Sequence, residues 1–379
     1  MQLKSLLPLA LASSAVAQSS MPSLADALAS QNASLSVLNG LLATQPDLVK
    51  SLSSASNVTI LAPNNAALSK LLNSSMGAAL ATNKEALTSV LMYHVLNGTH
   101  YGSDFTNASM FVPTMLNNPM FSNVTGGQRV EAKLSSGKVT FFSALKENST
   151  VVTPNLNFTG GVIHIIDSVL SVPMNDSATL VAANLTAAAG AIKQAGLGAN
   201  LTMLKDVTIL APSNQAFAAI GSLAANLTTE MLSQVLLYHV IPGVDYSPMI
   251  KNGTMVKTAG GMNVTFTVDN GTVYANSAKV VLADVLVSNG VVHVIDGVLN
   301  PQNSTAKPNP SASTQEPAFT GASSASGGGV PFTSGIPVPT STAPAATGAT
   351  SSTKNAAPMM TGAVGAAALF GGAAVLVNL

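Results

Sequence analysis

Three short sequence boxes with distinct hydrophobic patterns occur twice along the chain, in the same order. The first box is a short apolar run, Val58–Leu61, which returns as Val207–Leu210. Its valine, threonine and isoleucine are β-branched, and such residues favour strands. A proline follows each run two residues later, at Pro63 and Pro212. The pattern therefore predicts a short strand at the start of each copy.

Predicted helices follow these strands and carry the second box. Asn64 and Ser213 stand directly after the prolines, and both are residue types that favour helix N-caps. Further along, the second box reads Leu-Met-Tyr-His-Val and then Leu-Leu-Tyr-His-Val. In each copy apolar residues lead to its histidine, His94 or His239, at the spacing i, i+3, i+4 and i+7. Both histidines are therefore predicted on the apolar face of a helix.

The third box is a nearly continuous apolar strand that starts at a glycine. It covers Gly161–Leu170 and Gly290–Leu299, and the apolar run is closed by Asp167 or Asp296. Continuous apolar runs are typical of strands buried on both faces. Because the order of the boxes is kept, the chain contains a tandem duplication of a whole domain. The first copy has extra residues between its second and third boxes, around Ser103–Gln128.

The composition excludes several classes of function. The chain has 15 Lys+Arg against 15 Asp+Glu, and only 8% of its 379 residues are charged. Arg129 is its single arginine, so it lacks the positive charge with which proteins bind nucleic acid. It has no cysteine, which excludes disulfides, thiolate metal sites and cysteine nucleophiles.

The chain begins with a predicted secretory signal peptide and ends with a low-complexity region. Residues 1–17 combine a basic start, an apolar stretch and a small-residue cleavage site. In residues 301–355, 19 of 55 residues are serine or threonine. This composition predicts a disordered, O-glycosylated stalk, since such a segment buries too little apolar surface to fold.

The last residues, 356–379, fit a signal for a glycosylphosphatidylinositol (GPI) anchor. A polar spacer leads to an uncharged tail rich in alanine and glycine, and no basic residue follows as a cytoplasmic stop. Asn355 is the predicted attachment residue, while Ser351 or Ser352 would give a longer spacer. The alternative is a tail-anchored helix. The anchor interpretation places the protein on the outer leaflet of the plasma membrane or in the cell wall.

Glycosylation sequons are far more frequent than chance predicts. Residues 18–300 contain fifteen Asn-x-Ser/Thr sequons, where random placement gives about five. A sixteenth lies in the predicted stalk. The sequons indicate a heavily glycosylated surface, and their glycans would keep a chain with so few charges soluble. The predicted sites are Asn32, Asn57, Asn73, Asn97, Asn107, Asn123, Asn148, Asn157, Asn175, Asn184, Asn200, Asn226, Asn252, Asn263, Asn270 and Asn303.

No catalytic or metal-binding motif is visible. His164 and Asp167 are three residues apart in a predicted strand, as are His293 and Asp296. Alternation sends each pair to opposite faces, so neither forms a ready catalytic dyad. Structural roles are favoured for these four residues and for the two helix histidines. The sequence predicts no catalytic residue, no metal site and no cofactor.

These three boxes resemble the conserved boxes of fasciclin domains. The resemblance covers residues 18–172 and 175–300, in the family's order, twice. It implies an α+β fold: two tandem domains, each a wedge of β-sheet with packed helices, followed by the stalk. It also implies a secreted or lipid-anchored protein of cell adhesion and of matrix or wall organisation.

The resemblance also implies candidate partner-binding residues. In animal members a Tyr-His segment and an Asp-Ile pair before the last strand are associated with receptor binding. Asp284-Val285 approximates the acidic pair, whereas the first copy departs from it with Asn155-Leu156. The two tyrosines have an alternative structural role, packed at a domain edge with a hydrogen-bonded hydroxyl. Residues that match the Tyr-His segment are Tyr93, His94, Tyr238 and His239.

The leading hypothesis is a non-enzymatic adhesion or wall-organisation glycoprotein, in a walled eukaryote such as a fungus. Its expected partners are an extracellular protein or a cell-wall polysaccharide, together with the membrane through its anchor; nucleic acid is not among them. A small-molecule module, with a lipid or oligosaccharide between wedge and helices, is the alternative. A wall-active hydrolase or transferase is a third hypothesis, for which the sequence shows no nucleophile or acid–base pair.

Overall fold

The computed structural model of the chain describes residues 21–224, 226–312, 314–324 and 329–338. It contains two α+β domains in tandem, each with a seven-stranded sheet and packed helices. In the part described, no helix combines the length and the apolar character needed to span a membrane. The predicted leader, the predicted attachment signal and Asn355 lie outside the described residues.

The first domain contains six α-helices and seven strands within the described residues. Its helices are α1 (Leu24–Ser30), α2 (Asn32–Ala43), α3 (Pro46–Ser54), α4 (Asn65–Leu72), α5 (Ser75–Thr82) and α6 (Lys84–Tyr93). Its strands are β1 (Val58–Pro63), β2 (Val95–Asn97), β3 (Met110–Pro113), β4 (Arg129–Ser135), β5 (Lys138–Phe142), β6 (Asn148–Phe158) and β7 (Gly161–Ile166).

The second domain repeats this order of elements. Its helices are α7 (Asp176–Ala182), α8 (Thr186–Gln194), α9 (Gly198–Met203), α10 (Asn214–Ala219), α11 (Gly221–Ala224) and α12 (Thr229–Tyr238). Its strands are β8 (Val207–Pro212), β9 (Val240–Pro242), β10 (Met255–Lys257), β11 (Asn263–Asp269), β12 (Thr272–Ala275), β13 (Ala278–Val287) and β14 (Gly290–Ile295).

The first and third boxes form a parallel pair of strands, which lies beside one edge strand of each seven-stranded sheet. β1 pairs with β7 from Val58 opposite Gly161, and β8 pairs with β14 from Val207 opposite Gly290. All six residues of β1, β8 and β14 are buried, and the remaining strand pairs are antiparallel. The prediction that the third-box strand is buried on both faces is confirmed, because helices pack on one face of the parallel pair and far strands of the same sheet pack on the other.

Helix caps lie where the sequence predicts them. The side chain of Asn64 accepts a hydrogen bond from the Ala67 amide, and Ser213 accepts one from the Ala216 amide. The helix of the second box ends one residue before its histidine, since α6 and α12 finish at the tyrosine and the histidine is the C-cap. The histidines nevertheless turn into the core, and His239 is 2% exposed.

The extra residues of the first copy form part of the contact between the domains, to which residues Ala144–Lys146 also contribute by packing against β13. The loop from β3 to β4 runs through residues 114–128, whereas its counterpart from β10 to β11 has only residues 258–262. From the longer loop, the Gln128 side chain donates to the carbonyl oxygen of Val287, 3.1 Å away. Beside it, the rings of Phe111 and Tyr246 stack with centroids 4.0 Å apart. The insertion therefore docks the first domain onto the second.

Part of the predicted stalk packs against the second domain, which corrects the expected start of the disordered region. Ala318 is buried, and its carbonyl oxygen accepts hydrogen bonds from two asparagine side chains. Further on, the ring of Phe332 meets Phe217 edge-on at 5.7 Å. The average composition of residues 301–355 gives no sign of these few apolar side chains. They pack against a complementary surface on α8 and α10. The rest of that range, beyond residue 338, lies outside the described residues.

Candidate functional site

The two histidines of the second box join the end of a helix to the chain after the last strand. The His94 Nδ1–H donates to the Val90 carbonyl oxygen at 2.7 Å, and the Leu170 amide donates to its Nε2 at 2.9 Å. His239 makes the same two contacts at 2.8 and 2.9 Å. Burial lowers the pKa of both imidazoles to about 4. Both rings are therefore neutral, with their two nitrogens occupied.

The tyrosines before these histidines join the helix to the sheet. Both are fully buried. The Tyr93 hydroxyl donates to the Arg129 carbonyl oxygen at 2.9 Å, and the Tyr238 hydroxyl donates to the Asn263 carbonyl oxygen at 2.8 Å. The side-chain amide of Asn276 also donates to the Tyr238 hydroxyl. This matches the structural alternative for the two tyrosines, although in the interior rather than at an edge.

The histidines of the third box stabilise a bulge in the neighbouring strand. Asn155 and Asp284 occupy equivalent bulge positions with φ angles of 62° and 63°. The amide of Asn155 donates to His164 Nδ1 at 3.1 Å, and that of Asp284 donates to His293 Nδ1 at 3.2 Å. Each Nε2–H donates to a backbone carbonyl oxygen at 2.8 Å. Burial lowers the pKa of both rings, so these histidines are neutral structural bridges.

Asp284, His293 and Ser247 meet in the second domain, but their hydrogen bonds exclude a pair of serine nucleophile and histidine base. The serine hydroxyl donates to Asp284 Oδ2, and the serine amide donates to Oδ1 at 2.8 Å. The imidazole Nδ1 already accepts the Asp284 amide. No histidine nitrogen is left to take a proton from the serine. The cluster therefore holds a loop in place.

The aspartates of the third box have partners other than the histidines, as the alternation predicts. Asp167 Oδ1 accepts the Thr150 amide at 2.8 Å, and Asp296 Oδ1 accepts the Lys279 amide at 2.7 Å. Both carboxylates therefore fasten the third-box strand to its neighbour. Within the described residues, no group of three or more His, Asp or Glu side chains could hold a metal ion.

The structure places all five candidate partner-binding residues inside the domains, which does not fit the contact role implied by the resemblance. Their exposed fractions are at most 4%, and their polar atoms bind groups of their own domain. A partner that approaches the protein as described does not reach these side chains. They are Tyr93 (0%), His94 (4%), Tyr238 (0%), His239 (2%) and Asp284 (3%).

Most predicted glycosylation sites are accessible. Thirteen of the fifteen sequon asparagines between residues 18 and 300 are exposed. Asn123 and Asn175 are half-buried, as is Asn303 beyond that range. Asn175 uses its Oδ1 to cap α7 by accepting the Ala178 amide. The surface is therefore compatible with dense glycosylation. The sequence gives no sign that Asn123 is half-buried.

A cleft of about 490 Å³ lies beside the inserted loop, and the sequence contains no signal for it. Among its lining residues are Met92, Asn97, Thr114, Ser122 and Lys205. The hydroxyl of Ser122 is buried and has no hydrogen-bond partner in the described protein. This mixture of amide, hydroxyl, thioether and ammonium groups suits a polar ligand better than a lipid.

Comparison with known proteins gives a consistent family. The fasciclin domain model matches residues 33–173 and 183–301. A fasciclin-like arabinogalactan protein of Arthroderma benhamiae is 38% identical over 313 residues, which cover 82% of this chain and 74% of the relative. Another, from Phaeosphaeria nodorum, is 32% identical over 277 residues, covering 72% and 86%.

A solved structure is also among the proteins to which the chain is similar. It is the FAS1 domain pair of the insect cell adhesion molecule fasciclin I, with 18% sequence identity and a TM-score of 0.35. The match covers 71% of this chain and 98% of that structure.

Proposed function

This chain belongs to the fasciclin-domain family, and on that basis we propose that it is a non-enzymatic glycoprotein of the cell surface. It presents two docked fasciclin domains to an extracellular protein or a wall polysaccharide, and thereby contributes to adhesion or wall organisation. A GPI anchor attached near Asn355 holds it on the outer leaflet or in the wall.

The observation that carries the proposal is the exposed surface itself. Thirteen exposed sequons spread over both domains, while the histidines of the conserved boxes are buried and hydrogen-bonded. A hydrolase needs an accessible acid, base or nucleophile, and these box residues do not supply one. A surface covered by glycans suits a protein that is displayed and bound.

The test uses cells that lack the gene and carry either the full chain or a chain that ends at residue 355. The full chain is expected to restore attachment and to be released by phosphatidylinositol-specific phospholipase C. The shortened chain keeps both domains but should appear in the medium and restore nothing. Normal attachment of the gene-deleted cells would contradict the adhesion role. Restoration by the shortened chain would contradict the need for the anchor.

The cleft beside the inserted loop favours one alternative, a binding site for a polar oligosaccharide. The exposed Lys205 ammonium group and Asn117 side-chain amide on its lining offer hydrogen bonds to sugar hydroxyls or to a sugar acid. In the same cells, soluble wall oligosaccharides would then inhibit attachment, and Lys205→Ala would remove that inhibition.

A further inference from the structure

One predicted glycosylation site, Asn123, lies in the contact between the two domains. Its backbone amide donates to the Ser288 carbonyl oxygen at 2.6 Å, and its carbonyl oxygen accepts the Asp206 amide at 3.3 Å. Its side-chain Nδ2 lies 3.3 Å from the Met203 carbonyl oxygen and 3.0 Å from that of Leu204. Both the backbone and the side chain of Asn123 therefore bind the second domain.

The threonine that completes this sequon is also engaged by the second domain. The Thr125 amide donates to Asp206 Oδ1 at 2.6 Å, and the Thr125 hydroxyl donates to Oδ2 of the same carboxylate. The two residues that define the sequon thus form one set of contacts with the segment before β8.

The chemistry of N-glycosylation conflicts with these contacts. Transfer from a lipid diphosphate-linked donor forms a bond between Nδ2 and the first sugar's anomeric carbon. The lipid diphosphate leaves, and Nδ2 loses one of its two protons. The bulky sugar would then stand where the Met203 and Leu204 carbonyl oxygens lie. An amide that carries a glycan cannot keep both domains at this distance.

We propose that Asn123 is a modification-sensitive latch, at which a glycan and the docked arrangement of the two domains exclude each other. The docked protein carries Asn123 unmodified, whereas a molecule glycosylated there has separated domains. Half-burial alone does not produce this effect. Asn175 is half-buried too, yet its contact to α7 uses Oδ1 and not Nδ2, so a glycan there is compatible with the fold.

The first experiment maps glycans on the full chain secreted from a glycosylating host, with hydrogen exchange as the measure of docking. The exposed Asn107 of the same domain is the matched control. In molecules whose Asp206 amide is protected, Asn123 is expected to be unmodified while Asn107 carries a glycan. A glycan on Asn123 in molecules that keep this protection would overturn the proposal.

A second experiment forces the modification and does not depend on the host. The chain has no cysteine, so Asn123→Cys and Asn107→Cys each introduce a single thiol for an iodoacetamide-linked N-acetylglucosamine. The sugar at position 123 should speed exchange of the Asp206 amide about tenfold or more, and the sugar at position 107 should not. Equal protection with and without the sugar at position 123 would overturn the latch. If the cysteine variant fails to dock before it is modified, the first experiment decides, because it leaves Asn123 unchanged.

Discussion

The two domains share their caps, their parallel strand pair and their buried histidines, but their helical faces differ. Gly40 on α2 is exposed, and a Cβ added there would meet nothing within 4 Å. The equivalent Gly190 on α8 is buried, and a Cβ there would lie 1.7 Å from the Phe332 carbonyl oxygen. One duplicated surface is therefore open, and the other is covered by the C-terminal segment.

The residues of the two helices explain this difference. α8 presents mainly alanines, and Ala187, Ala188 and Ala191 are buried in its core cluster. α2 has larger side chains at the corresponding face, among them Val37 and Leu41. Small side chains allow a backbone to approach closely, and larger ones fill that space themselves. Smaller side chains at a few positions of one helix thus allow the C-terminal segment to pack on one of two duplicated domains.

The largest expected difference between the domains appears on acidification to pH 4. One helix histidine in each domain has its pKa lowered from 6.5 to about 4. The unfolded chain binds that proton first, so stability is complete above pH 6.5 and falls by on the order of 3 kcal/mol per domain at pH 4. In the second domain burial also raises the pKa of Asp176 from 3.8 to about 6.

A carboxyl with a raised folded-state pKa stabilises the fold as the pH falls through 6. Asp176 should therefore offset roughly 2 kcal/mol of the loss at pH 4, and the first domain should unfold first. Domain-resolved hydrogen exchange at pH 7 and pH 4 measures this order. Asp176→Asn removes this contribution, so in that variant the difference between the two domains should narrow; burial also raises the pKa of Asp245 and Asp296 in the second domain, so a smaller difference of the same sign should remain. Earlier unfolding of the second domain in the unchanged chain would refute the prediction.

A smaller effect is expected from alanine at the two equivalent glycines. Gly190→Ala should displace the segment around Phe332 and cost about 1–3 kcal/mol, since its Cβ would overlap that backbone. Gly40→Ala should instead stabilise the first domain by roughly 0.5–1 kcal/mol, because alanine is the better helix former and the site is open. Urea unfolding measures both variants, and limited proteolysis shows whether residues 329–338 are released. Equal effects at the two positions would mean that the cover does not bind as described.

The smallest effect is expected at the two bulge positions. Asp284→Asn keeps an oxygen that accepts the Ser247 amide but loses the oxygen that accepts the Ser247 hydroxyl. The free energy of unfolding should fall by about 1 kcal/mol. Asn155→Asp should change stability by less than about 0.5 kcal/mol, because Asn155 is exposed and keeps an oxygen for its Gly102 amide contact. The midpoints of urea unfolding give both values. Loss of cell attachment by Asp284→Asn at unchanged stability would restore the contact role that the resemblance implies.

The sequence by itself determined the duplication, the family and most of the framework. Caps such as Asn64 and Ser213 bind amides three residues away, so a short stretch of sequence contains all that their prediction needs. The burial of the third-box strand was equally accessible, since a continuous apolar run indicates burial on both faces wherever its neighbour lies, whereas its parallel pairing with the first-box strand came from the structure.

Only the tertiary structure decided what the polar residues of the boxes do. Tyr93, Tyr238 and Asp284 match a binding motif in sequence, yet long-range packing places them inside the domains, whereas helical periodicity already predicted the core-facing position of His94 and His239. Asn123 is identical in pattern to its fellow sequons, but its partner Leu204 is 81 residues away. Phe332 lies in a low-complexity segment and packs on Phe217 of α10, in the second domain. Such contacts depend on the meeting of distant surfaces, and neither composition nor periodicity contains that information.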